Sequence, residues 1–368
     1  MITARMASTA EMLACFDDDA LVAAALRFER ELAQVQAARG LSAADAAAAI
    51  AAACDGFDAR GLGDAAAHAG TLAIPLVARL RAAVGPHGAA VHLGATSQDV
   101  ADTALALQTQ AARGLIDGEL AALGDALAAL ARAHAATPAM GYTLLQPAQP
   151  ITVGARAASW LLGIDAARAR LGRERLDQLQ LGGAVGTLAA LGEHGPAVRA
   201  ALAARLGLRD GPAWHARRDA VVGLGAALGI AIGAIGKLAR DVALLMERGE
   251  AAEPVVAGRG GSSAMPGKRN PTGCQVALAA AIRAPGLVAA LLGGMPQELE
   301  RGLGGWQAEA PVLGELFALA HGAAHAMRIV ADGLEVHPAH VAADREAIEA
   351  ARRLVDEALA RRPGPPER

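Results

Sequence analysis

The feature that most limits how this chain can fold is a seam of branched apolar residues. Ile116, Leu120, Leu123, Leu127 and Leu130 step by four and three. That spacing keeps one stripe of an α-helix apolar for about four turns, and the stripe needs another helix to cover it. A second stretch, "AVVGLGAALGIAIGAIG" at 220–236, carries no charge at all. It falls short of the roughly 20 strongly apolar residues that span a bilayer, so it reads as a helix buried inside a bundle. Gly225, Gly229 and Gly233 recur every four residues along it, leaving one face without side chains where another helix can come close. This helix starts near His215. Further helical patterns run from Thr152 to Leu181, over 271–294 and over 305–332, whereas residues 21–110 read as shorter helices broken by "GLGD" and "VGPHG". The prolines of "TPAMGYTLLQPAQP" (137–150) interrupt the series, because three prolines so close together break a helix.

The fold class is therefore nearly all-α, built around four or five long helices. Aromatic residues make up only 2% of the 368 positions and hydrophobic residues 54%, so the core is made of alanine, leucine and valine, which suits closely packed helices. Helices well above the usual length bury their faces against other subunits, which predicts an oligomer. The expected divisions are a mostly helical N-terminal domain (1–104), a long-helix domain (105–335), and a C-terminal segment (336–368) ending in the disordered tail "RRPGPPER". A net charge of −3 with both signs interspersed points to no nucleic-acid face. Cys15, Cys54 and Cys274 are scattered, which fits neither a disulfide framework nor a zinc site. "MITARMASTAEML" lacks the apolar run of a signal peptide, so the expected location is the cytoplasm, with no membrane partner.

Three polar segments lie between the helical patterns: "HLGATSQDVADTA" (92–104), "GYTLLQPAQP" (141–150) and "GRGGSSAMPGKRNP" (258–271). The last is not a phosphate loop: Gly261 is one residue too far from Gly267, Arg269 follows the lysine, and no strand precedes it. Two readings remain. Lys268, Arg269, Asn270 and a helix opening at Pro271 could hold a carboxylate, or the segment could be a solvated linker. In the first segment Thr96, Ser97 and Asp99 could be helix caps, with Asp102 capping the long helix that follows. Capping alone leaves the Thr-Ser-Gln-Asp cluster, with His92 upstream, unexplained. His321 and His325 have a metal-ligand spacing but no carboxylate between them, and read as ordinary helix residues.

Together the three segments resemble the fumarase/aspartase superfamily of β-eliminating enzymes. The superfamily loop GSSxMPxKxNP matches across Gly261, Ser262, Ser263, Met265, Pro266, Lys268, Asn270 and Pro271, and "TSQDVADTA" and "TLLQPAQP" match the other two shared segments. Within the superfamily, "HLGATSQD", "LGGAVGTLAALGEHGPAV", "WHARRD", "RAPGLVAALLGGMPQELERGLGGWQAE" and "GLEVHP" are similar to the 3-carboxy-cis,cis-muconate cycloisomerase family. The resemblance implies a homotetramer around a central 20-helix bundle, with active sites shared between subunits and a C-terminal domain that is shortened here. It implies a small di- or tricarboxylate substrate, and neither cofactor nor metal.

Residue by residue, the resemblance makes Ser262 the proton-transfer residue and gives Lys268, Asn270, Thr96 and Ser97 the substrate carboxylate. His92, Thr143, Ser263 and Met265 join the substrate-binding set. Gln149, Arg218 and His215 stand in matching segments as weaker candidates for it, without a role that the residues themselves define. One departure is informative. Many members carry Thr-His in the second segment, where the histidine assists a poor leaving group; here the pair is Thr143-Leu144. A carboxylate leaves without protonation, since its pKa lies near 4. The pair therefore favours an intramolecular cycloisomerisation over a fumarate-releasing lyase of the adenylosuccinate or argininosuccinate lyase type. A catalytically silent helical tetramer is the other alternative, and the intact loop counts against it.

Overall fold

The computed structural model describes residues 2–262, 264–265, 267–337, 341 and 345–362. Six helices precede the first polar segment: α1 (Ile2–Ala7), α2 (Ala10–Ala14), α3 (Asp18–Ala38), α4 (Ala44–Asp55), α5 (Leu62–Ala69) and α6 (Ala73–Val84). The long helices follow: α7 (Ser97–Ala133), α8 (Val153–Arg173), α10 (Asp219–Glu247), α11 (Thr272–Gly294) and α12 (Gly305–Asp332), with a shorter α9 (Gly195–Leu206) between α8 and α10. The chain then adds α13 (Arg345–Ala360). Tail residues 363–368 lie outside the described residues.

The long helices form one bundle. α7 packs on α8 and α12, α10 packs on α8, α11 and α12, and α11 packs on α12. The seam predicted on α7 is its buried stripe: Ile116, Leu120, Leu123 and Leu127 are fully buried and Leu130 nearly so. Each such side chain contributes about 1.5–3 kcal/mol on leaving water. The glycine face of α10 is used at two of the three positions read from the sequence. A Cβ on Gly225 would run into Leu291 Cδ1, and one on Gly229 would stand 2.7 Å from Val288 Cγ2. Gly233 faces open space, and Gly236 takes its place against Ala281. Both α10 and α11 are long and apolar enough to cross a membrane by composition. Most of α10 is buried in the bundle, whereas α11 leaves Ile282 and Leu292 exposed.

Three expectations are corrected. The second long helix ends at Arg173 rather than Leu181, because Glu174 turns extended and residues 176–183 cross over α7 as irregular chain. The segment at 137–150 is not a plain interruption but an antiparallel hairpin, β1 (Pro138–Thr143) with β2 (Gln146–Thr152). Its prolines are tolerated in a two-stranded ribbon, where both strands are edges. Asp102 caps nothing, because α7 begins five residues earlier, at Ser97. Residue 104, the expected division between the first two domains, lies within α7. A second ribbon, β3 (Ala251–Ala252) with β4 (Glu335–Val336), ties the exit of α12 to the chain entering the signature loop.

Candidate active site

The start of α7 is built by one carboxylate. Asp99 accepts the Thr96 N–H at 3.0 Å, the Gly182 and Gly183 N–H groups at 2.9 and 3.0 Å, and His215 Nε2 at 2.8 Å. Only glycine fits at 182, where a Cβ would meet Ala213 at 2.6 Å and His215 at 2.7 Å. This explains the pairing of "LGG" with "WH" across the sequence. Thr96 and Asp99 form a capping box at the start of α7, and the Thr96 hydroxyl also accepts from Arg301 Nη1 at 2.6 Å. Ser97 lines a depression of about 190 Å³ with Trp306 and Gln307.

Arg218, expected in the substrate-binding set, is instead fully buried. Its Nη1 and Nη2 donate to Asp102 at 2.9 and 2.8 Å, its Nε donates to Glu309 at 2.9 Å, and its Nη2 donates to Glu309 as well. Its guanidinium also stacks on Trp214 at 4.6 Å. No donor is left for a ligand, so Arg218 holds α7, α10 and α12 together. Burial alone would lower its pKa, but the two carboxylates outweigh that and hold it above the ordinary arginine value. One cation shared between two acids leaves an excess negative charge. Burial, with the Asp102 charge, pushes the Glu309 acid above its usual range despite Arg218. His215 is buried in the same network, its Nε2 spent on Asp99.

His92 is held by an acid that the sequence reading did not nominate: its Nδ1 lies 2.5 Å from Glu29 Oε1. Arg301 was also missed. It stands in "MPQELERG" with no local sign of a role, and its guanidinium reaches Thr96 from 205 positions away. Among the described residues Arg301 has no carboxylate partner.

The signature loop lies between β3 and α11. Its Ser262 is half-buried, and the hydroxyl oxygen accepts the N–H groups of Ala264 at 3.3 Å and Met265 at 3.0 Å. Two donors on one oxygen stabilise negative charge there. Asn270 closes the loop, its Nδ2 donating to the Gly261 carbonyl at 3.1 Å and its N–H to the Gly260 carbonyl at 2.8 Å. Lys268 is exposed, and its ammonium has no partner among the described residues. With Gly260, Gly261, Gly267 and Asn270 it lines a hollow of about 140 Å³. Met265 is exposed, and Ser263 lies outside the described residues. Behind the loop, Glu253 accepts the Gly273 and Cys274 N–H groups at 2.9 Å each, capping α11. Arg269 grips Glu335 through Nη1 and Nη2 at 3.0 and 2.8 Å and also donates to the Glu253 carbonyl.

Thr143 and Gln149 stand exposed on the β1–β2 hairpin, beside a cavity of about 970 Å³ shared with α8 and α10. The hairpin turns through Leu144 and Leu145, at φ 50° and 64°, a conformation usual for glycine and asparagine. Leu144 is 96% exposed. Within one chain, then, the three segments line three different hollows.

The sequence pattern of a family described as "Lyase" matches residues 9–286. The chain belongs to this family, whose helical bundle it shares. Within the family it is similar to a 3-carboxy-cis,cis-muconate cycloisomerase of Pseudomonas aeruginosa, with 48% identity over 89% of this chain and 74% of the relative. A cycloisomerase of the same name from Bradyrhizobium diazoefficiens is 42% identical over 94% of this chain and 79% of its own length. Among solved structures, the 3-carboxy-cis,cis-muconate lactonizing enzyme from Pseudomonas putida superposes with a TM-score of 0.85 at 40% identity, covering 96% of this chain and 79% of that one.

Proposed function

We propose that the chain is an intramolecular lyase that closes 3-carboxy-cis,cis-muconate to 4-carboxymuconolactone. A substrate carboxylate oxygen attacks the alkene carbon to form the ring C–O bond. The π electrons move to the neighbouring carbon, giving an enolate-dianion of the attached carboxylate. The Ser262 O–H then delivers its proton to that carbon, and solvent reprotonates the serine oxygen. A serine oxyanion needs help to exist. The observation that carries this reading is the pair of N–H groups, from Ala264 and Met265, already aimed at Ser262 Oγ.

Lys268, Asn270, Thr96 and Ser97 bear the carboxylate charge in this reading, with Arg301 beside Thr96. His92, Thr143, Gln149, Ser263 and Met265 complete the pocket, and no metal or cofactor takes part. Leu144 supports ring closure over fumarate release, since its side chain has no proton to give to a leaving group. We further propose a homotetramer whose subunits pool the three segments in each site. The separate hollows of the single chain and the apolar side chains left exposed on α11 support it. A cytoplasmic enzyme fits this reading.

The test follows the diene ultraviolet absorbance of 3-carboxy-cis,cis-muconate. Loss of absorbance with formation of the lactone is expected. No loss, together with fumarate release from an N-succinyl substrate, sinks the proposal.

A further inference from the structure

The turn that carries His92 is held from outside by side chains distant in sequence. Glu29, on α3, is 1% exposed, and its Oε1 meets His92 Nδ1 at 2.5 Å. Gln36, seven residues further along the same face of α3, is fully buried and donates from Nε2 to the Leu93 carbonyl at 2.7 Å. Arg81 on α6 donates to the Val91 carbonyl at 3.3 Å. His92 itself sits at φ 62°, a backbone conformation that side-chain-bearing residues rarely adopt. Three side chains from two helices thus pin a strained turn four residues before Thr96.

Glu29 is an unusual choice for a pin. A buried carboxylate is costly to keep unless all its lone pairs are used, yet Glu29 Oε2 is buried with no partner. Packing alone would be served better by an apolar side chain of the same length. What only an acid or amide oxygen supplies is an acceptor for His92 Nδ1. An ionised carboxylate accepts only, so if Glu29 carries its charge the contact requires a proton on His92 Nδ1. The ring retains 13% exposure, and its Nε2 has no partner among the described residues.

We propose that Glu29 is a positioning residue for the active site. It fixes the orientation and tautomer of His92, so that Nε2, bare in the neutral ring, is the atom presented to the substrate. The inference rests on the reading above in one respect only, that His92 belongs to the substrate-binding set.

The test uses the assembled enzyme and three variants: Glu29→Met, which keeps the volume and removes the acceptor, Glu29→Gln, which keeps an acceptor oxygen, and His92→Gln. Ring-nitrogen NMR, with His92 assigned by its disappearance in His92→Gln, should show a proton on Nδ1 in the wild type and in Glu29→Gln. In Glu29→Met the signal should move toward the Nε2-protonated form. In kinetics, Glu29→Met should lower kcat/KM by about 10–100-fold, the range for losing an orienting partner of a functional histidine, while Glu29→Gln stays within a few-fold. The two effects should not add: in a His92→Gln background, Glu29→Met should cost nothing further.

An unchanged tautomer in Glu29→Met, or an undiminished loss in the His92→Gln background, overturns the proposal. Should Glu29→Met fail to assemble, Glu29→Gln carries the test, and its falling to the level of His92→Gln overturns it equally. A wild type inert toward the muconate sinks the functional reading instead, and the ring-nitrogen spectra then decide the Glu29 inference alone.

Discussion

Two polar regions of this molecule sit in opposite states. Around Arg218 each guanidinium nitrogen has an acceptor and the Asp99 carboxylate takes four donors, and what is left without a partner there is confined to His215 Nδ1 and Gln98 Oε1 among the described residues. Along the signature loop, Lys268 is exposed without a partner among the described residues, and the half-buried Ser262 holds two N–H donors on one oxygen. Both regions are rich in the residue types from which active sites are made. The difference is satisfaction. A network whose charges are all paired holds elements together, while an exposed, unpaired ammonium still has charge to offer a ligand.

The first way to break this contrast is Ser262→Ala. It should lower turnover of the muconate by about 10²–10⁴-fold, the worth of one proton-transfer group, and leave the thermal unfolding midpoint unmoved. A fall in stability matching the fall in activity would make the loop structural after all. Arg218→Met should do the reverse and destabilise the fold by about 3–5 kcal/mol, because it strands two buried carboxylates. Denaturant unfolding measures this. Recovery in the triple variant that adds Asp102→Asn and Glu309→Gln would locate the cost in unpaired charge.

The smallest effect concerns pH. Burial raises the pKa of Glu309 above the ordinary glutamate value of 4.5. A raised pKa means the folded state takes up the proton more readily than the unfolded chain. Its stabilising contribution is therefore full below about pH 4.5 and is lost as pH rises through the folded value. Glu309→Gln cannot ionise, so its stability relative to wild type should improve between pH 4 and pH 7. A difference that does not vary with pH would show that Arg218 fully neutralises the acid.

Much of the scaffold was legible because it is periodic. The α12 bounds coincide with the helical pattern at 305–332, and α11 begins one residue inside its pattern. What went unread is what periodicity does not encode. Residues 176–181 continue an apolar rhythm yet leave the helix, because Gln180 is bound into the Asp102 and Thr103 network and cannot follow α8. Asp102 looked like a cap because its partner, Arg218, lies 116 positions away. In the site, the signature loop announced Ser262, Lys268 and Asn270 by local pattern alone. Glu29 and Arg301 gave no such sign, since their meaning lies in contacts 63 and 205 positions distant. A charged residue on a helix face that is apolar but for Gln36, as Glu29 is on α3, is the signal that could have raised it.

The way the loop is tied at its base has a consequence for its length. Arg269 reaches back to the Glu253 carbonyl and forks onto Glu335, so the chain from 253 to 269 is a ring already closed before any ligand arrives. For a flexible closed ring, doubling the number of residues adds only about 0.6 kcal/mol of closure entropy. Stability thus places almost no constraint on how many residues this ring contains. If Ser262 is the proton donor proposed above, the ring's size is free to be set by reach, the span needed to carry one serine oxygen from a fixed anchor to a reacting carbon. Substrates of different dimensions could then be met by adding or removing residues here, with the bundle beneath left untouched.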